Sequence, residues 1–162
     1  MQASPVSAGE GRIADLVHAY LAAEYRWERD GDWLDLRIGA PAPAVRARYP
    51  VARTAGLLSA WNPHSVARPD AENRAEDERL QADLLDSGCI FRPAFSSATN
   101  RAWREPSWLV IDMPVAAFDA LSRRYGQLAT LFWRTDGPVR MRVDARSPPT
   151  FAGHPDLDWL RD

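Results

Sequence analysis

The chain is 162 residues long, enough for one domain with a core of its own and no metal or disulfide support. Hydrophobic residues make up 46% and charged residues 26%, and a net charge of −2 gives no electrostatic argument for nucleic acid or an anionic membrane as partner. All 20 basic side chains are arginine, which excludes a lysine Schiff base to pyridoxal phosphate and the lysine of a Walker phosphate loop.

The single cysteine, Cys89, permits no internal disulfide and fits a reducing, cytoplasmic setting. The opening Met1-Gln2-Ala3-Ser4-Pro5 has neither a basic segment nor an apolar run, so no signal peptide is expected. No apolar stretch approaches the length of a membrane span.

Ser7 and Glu10 have capping-box spacing, and Ile13, Leu16, Val17, Tyr20 and Leu21 recur at helical spacing, which predicts an amphipathic helix over 10–23. Tyr25 and Trp27 alternate with charged residues, Arg29-Asp30-Gly31-Asp32 is a turn signal, and Leu34, Leu36 and Ile38 alternate beyond it: a β-hairpin. A short helix between prolines is expected at 42–49, then a buried strand at 55–61. Asn62 precedes Pro63, which favours extended geometry at Asn62. Asp70 suits the N-cap of a helix reaching Ser87, with Gly88 closing it. Strands are expected at 89–95 and 108–112, joined by a polar loop, 96–106. Pro114 suits the first turn of a helix ended by Gly126, followed by strands at 128–133 and 139–143 around an Asp136-Gly137 turn. Residues 1–146 thus read as a single α+β domain, and 147–162 as a Pro-rich, irregular tail whose Leu157, Trp159 and Leu160 are suited to dock on this domain or on a partner.

The middle of the chain has the order β-α-β-β-α-β, which points to a ferredoxin-like core in a mixed or antiparallel sheet, flanked by the N-terminal helix and hairpin. Chain direction then carries three polar motifs to one end of the sheet. They are Trp61-Asn62-Pro63-His64-Ser65 with Glu72-Asn73, Trp103-Arg104-Glu105-Pro106-Ser107, and Tyr125-Gly126-Gln127. Asn73 shares a helix face with the core residues Leu80 and Leu84, so its amide needs partners, for which Asn62, Ser65 and Gln127 are suited.

Trp61, Asn62, Ser65, Asn73, Trp103, Glu105, Ser107 and Gln127 are therefore the candidate ligand-binding residues. Each has a structural alternative. Asn62 either donates to a ligand or stabilises a turn, and Gln127 either reads a flat polar ligand or satisfies backbone groups. Trp61 and Trp103 either stack on a ligand or pack. Glu105 precedes a buried strand, where desolvation suits acid–base work, or it pairs with an arginine. Ser107 has neither a nearby histidine nor a nucleophile-elbow sequence, which argues against a serine hydrolase. Glu72 and Glu105 could share a Mg²⁺, but their spacing matches no metal motif and Glu72 suits a solvated first turn; His18, His64 and His154 share no ligand spacing, so no metal is expected. No cofactor is indicated. Arg134, Arg140 and Arg142 form either a basic strip or a solvated face.

Ser59-Ala60-Trp61-Asn62-Pro63, Ser65, Glu72-Asn73, Trp103-Arg104-Glu105-Pro106-Ser107 and Arg124-Tyr125-Gly126-Gln127 together resemble an uncharacterised bacterial family, domain of unknown function 3293, over most of the chain. The resemblance implies no activity, cofactor or catalytic residue. The chain departs from the family pattern at Leu128 and at His64, which argues against a catalytic His64. The expected function is the binding of a small polar ligand in an amide-rich pocket. The alternatives are an enzyme with Glu105 as general base, and a protein-interaction module whose tail or edge strand meets a partner while the motifs only hold loops.

Overall fold

Residues 8–100 and 102–162 are described by the structure, a computed structural model. They form four α-helices and one eight-stranded mixed sheet. Helix α1 (Ala8–Ala22) leads into the hairpin β1 (Glu24–Arg29) and β2 (Asp32–Leu36), then the short α2 (Pro43–Arg48). The hairpin loop is Asp30 and Gly31, both at positive φ, the backbone a two-residue turn between twisted strands requires. Strand β3 (Thr54–Leu58), α3 (Asp70–Ser87), β4 (Ile90–Ser97), β5 (Arg104–Ile111), α4 (Val115–Arg124) and β6 (Ala129–Arg134) follow, then β7 (Met141–Arg146) and β8 (Leu157–Arg161). The Ser7–Glu10 capping box involves a position outside the described residues.

The lateral order is β2-β1-β4-β5-β3-β6-β7-β8, with every neighbour antiparallel except the parallel pair β7–β8. Two apolar layers sandwich the sheet. Leu80 and Leu84 of α3 and Phe118 of α4 meet Leu58 and Val110 on one face. On the other, Val17 of α1 and Val45 of α2 cover Leu57, Leu109, Leu131, Trp133 and Met141. Strand alternation sends neighbouring residues to opposite layers. At Gly56 the Phe118 ring lies so close that a Cβ would stand 2.5 Å from its Cε2, so the strand needs glycine to admit the helix.

Several expectations are corrected. The strand expected at 55–61 ends at Leu58, because Ser59 turns its hydroxyl to accept from Trp61 N (2.9 Å) and donate to Pro106 O (2.8 Å). Asp70 is not the N-cap: Pro69 holds that position and Asp70 is already helical, while Gly88 closes the helix at φ 74°. The strands expected at 89–95 and 108–112 meet in longer form, so both ends of the expected 96–106 loop are ladder, with Ser96 opposite Glu105 and Ser97 opposite Arg104. The tail is not irregular. A 3₁₀ turn at Pro149–Phe151 turns the chain back, and β8 adds a strand beside β7, burying Phe151 and Leu157 in the core.

Candidate functional site

The three polar motifs meet at the end of the sheet where β3 stops and β5 begins. On the α1 side the apolar rows of the sheet turn polar as they approach this end: Leu57 gives way to Ser59 on β3, and Ile111 and Leu109 to Ser107 and Glu105 on β5. Ala94 and Ser96 of β4 lie opposite Ser107 and Glu105. Helix α1 crosses above, and between it and the sheet lies a cavity of about 280 Å³. Its floor is aliphatic, from Leu57, Leu131 and Met141, and its rim carries Asn62, Ser65, Trp103, Glu105, Ser107 and Gln127. Trp61 and Asn73 do not line it.

Asn73 is buried, as its place on the Leu80–Leu84 stripe requires, and its amide is fully used. Its Oδ1 accepts from Asn62 N (2.9 Å) and Arg68 Nε (2.6 Å), and its Nδ2 donates to Asn62 Oδ1 (2.9 Å) and Arg68 O (3.4 Å). Asn62 Oδ1 also accepts from Arg68 N (3.2 Å), and Asn62 Nδ2 donates to Glu105 Oε1 (2.9 Å). Arg68 completes the knot by donating to Ala60 O (2.8 Å). Gln127 Nε2 donates to Trp61 O (3.0 Å) and Tyr125 O (3.1 Å), leaving its carbonyl oxygen free of any donor among the described residues. Two asparagines and one arginine therefore lock the loop after β3, and their amides are mostly turned away from the cavity.

This loop is strained. Asn62, His64 and Ser65 sit at φ 45°, 58° and 58°, in the left-handed region that L-residues other than asparagine rarely adopt. The extended geometry expected at Asn62 is thus overturned: the bonds to Asn73, Arg68 and Glu105 outweigh the local influence of Pro63. Across the loop, His64 N donates to Gly126 O (2.7 Å) and Arg12 donates to His64 O (2.7 Å). Gly126, at φ 64°, packs on Pro63, where a Cβ would come within 2.7 Å.

Besides the Gln127 carbonyl oxygen, two more polar groups of the wall are left over. Ser107 Oγ is buried and has no hydrogen-bond partner among the described residues. Glu105 uses one oxygen on Asn62 and has no ion pair with any described arginine. Burial pushes its carboxyl above the ordinary carboxylate range, and the Asn62 bond pulls it back only in part. Above them the Tyr20 hydroxyl meets the Ser65 hydroxyl, and the Tyr25 hydroxyl donates to Tyr20 O. Burial raises the Tyr20 phenol, and the nearby Glu105 raises it further against the pull of Ser65 and Arg12.

The sequence reading missed Tyr20, Tyr25 and Arg68. Tyr20 lay in an apolar helical stripe, and only its hydroxyl hinted at a polar neighbour. Glu72 is exposed on α3 and does not approach Glu105's cavity, and no cluster of three His, Cys, Asp or Glu side chains occurs among the described residues. Arg134, Arg140 and Arg142 form no free basic strip: each is paired, with Asp136, Asp158 and Asp119 respectively. No helix among the described residues is long and apolar enough to cross a membrane.

These features define a small α+β domain with a cavity under its first helix. The model of a family described as "Protein of unknown function (DUF3293)" matches residues 58–130. The match runs from the end of β3 to the start of β6 and includes the Asn62–Asn73 knot, Glu105, Ser107 and Gln127. It is narrower than the resemblance expected from sequence, leaving α1, the hairpin, β7 and β8 outside. No curated protein and no solved structure matches the chain.

Proposed function

We propose that the protein binds a small molecule in the cavity between α1 and the sheet, its polar head against Glu105 and Ser107 and its body over Leu57, Leu131 and Met141. The observation that carries this reading is the unsatisfied polar wall. A buried hydroxyl without a partner costs about 1–3 kcal/mol, and a desolvated carboxyl without a cation adds to that cost, so both need a use outside the fold. The strained, over-determined loop beside them supports the same reading, since such strain gathers at functional sites. The amides have a different part from the one expected: Asn62 and Asn73 hold the loop, and Asn62 orients Glu105. The test is native mass spectrometry of the purified protein with a thermal-shift screen of small metabolites. A ligand lost on Ser107→Leu, which fills the cavity, supports the reading; a screen without retained or stabilising compounds counts against it.

A second reading has one observation in its favour. A carboxyl raised by burial and open to a cavity suits general acid–base work, with Glu105 as the proton carrier. It predicts turnover lost in Glu105→Gln with binding retained.

The four strands β4-β5-β3-β6, with α3 and α4 on one face, suit a ferredoxin-like core, a proposal supported by their order and antiparallel pairing. The lone Cys89 supports a cytoplasmic setting. The edge strands β2 and β8 are where a protein partner would add.

A further inference from the structure

We infer that the ligand is a small cation, an apolar body bearing a protonated nitrogen that pairs with Glu105. The inference rests on the ligand-binding reading above. Glu105 is the only formally charged residue among the described residues that line the cavity. The chain has 20 arginines, yet none of the described ones enters this wall. An anionic ligand would meet a carboxylate with no compensating cation, whereas a cation would supply the partner that Glu105 lacks.

The other polar groups agree in kind. An ammonium is all donor and no acceptor. The wall offers acceptors: the second oxygen of Glu105, the unused carbonyl oxygen of Gln127 and the unpartnered Ser107 hydroxyl. Tyr20, Tyr25 and Trp103 also line the space, and aromatic side chains attract desolvated cations. The groups facing Glu105 are uncharged: Asn62 from the loop, Tyr20 from α1, Tyr25 from β1, Ser96 from β4 and Ser107 from β5. At roughly 30 Å³ per water-sized group, the cavity holds a body of about ten non-hydrogen atoms.

The experiment compares three compounds that share one body, 2-phenylethylamine, 2-phenylethanol and phenylacetate, by titration calorimetry near neutral pH, on the wild type and on Glu105→Gln. The amine should bind about tenfold more tightly than the alcohol, phenylacetate should give no binding, and E105Q should erase the amine's advantage over the alcohol. Alcohol or acid binding as tightly as the amine, or an amine indifferent to E105Q, overturns the cation assignment; the cavity reading then survives, provided Ser107→Leu blocks the binding seen. Failure of all three compounds to bind overturns both.

Discussion

At the residue scale the site separates into side chains that hold the loop and side chains that face the cavity. Asn73 belongs to the first kind. Asn73→Leu keeps the volume but strands the Asn62 amide and the Arg68 guanidinium, and should cost about 3 kcal/mol in urea denaturation. A loss below about 0.5 kcal/mol would mean that the knot carries no stability. Ser107 belongs to the second kind, so Ser107→Ala should raise stability by about 1 kcal/mol while weakening the ligand, since it removes a hydroxyl the fold leaves unsatisfied. Glu105 gives a pH signature. Its folded carboxyl is raised above its unfolded value, so its contribution to stability is fully present below the unfolded value and is lost as pH rises through the folded one. Glu105→Gln removes that loss. The variant should therefore gain in melting temperature over the wild type as pH rises from acid to neutral, and a difference constant with pH would contradict the burial of this carboxyl.

At the element scale the loop after β3 is set by what it docks on. Its left-handed residues are held by α3 through Asn73 and by the end of α4 through Gly126. Gly126→Ala meets both a positive φ and Pro63, and should cost about 1–2 kcal/mol, read as a lower urea midpoint, with weaker ligand binding through displacement of Ser65. The helices themselves were legible, because Leu80 and Leu84, or Phe118 and Leu121, recur at helical spacing. The loop conformation was not. Pro63 argues locally for an extended Asn62, and contacts from residues 6, 11 and 43 positions away overturn it.

At the scale of the whole molecule the C-terminal segment changes the most. Proline content hid a strand, since the prolines fall in the turn and Leu157, Trp159 and the residues between them form the ladder with β7. Deleting residues 147–162 uncovers the β7 edge and withdraws Phe151 and Leu157 from the core. The loss should be about 4 kcal/mol or more, with aggregation, measured by denaturation and light scattering. A truncated chain as stable as the full one would mean that the last strand is an accessory.

The sequence by itself determined the α+β class, the alternation of elements, and the end of the sheet to which the polar motifs run, because periodicity and chain direction are local properties that add up along the chain. It also located Asn62, Asn73, Glu105, Ser107 and Gln127 at that end. The tertiary structure alone decided the lateral strand order, the return of the tail as β8, and the placing of Tyr20 over Glu105. It also decided which polar groups are spent on one another and which remain. That last distinction divides scaffold from site, and it depends on distances between residues far apart in sequence, which no local pattern encodes.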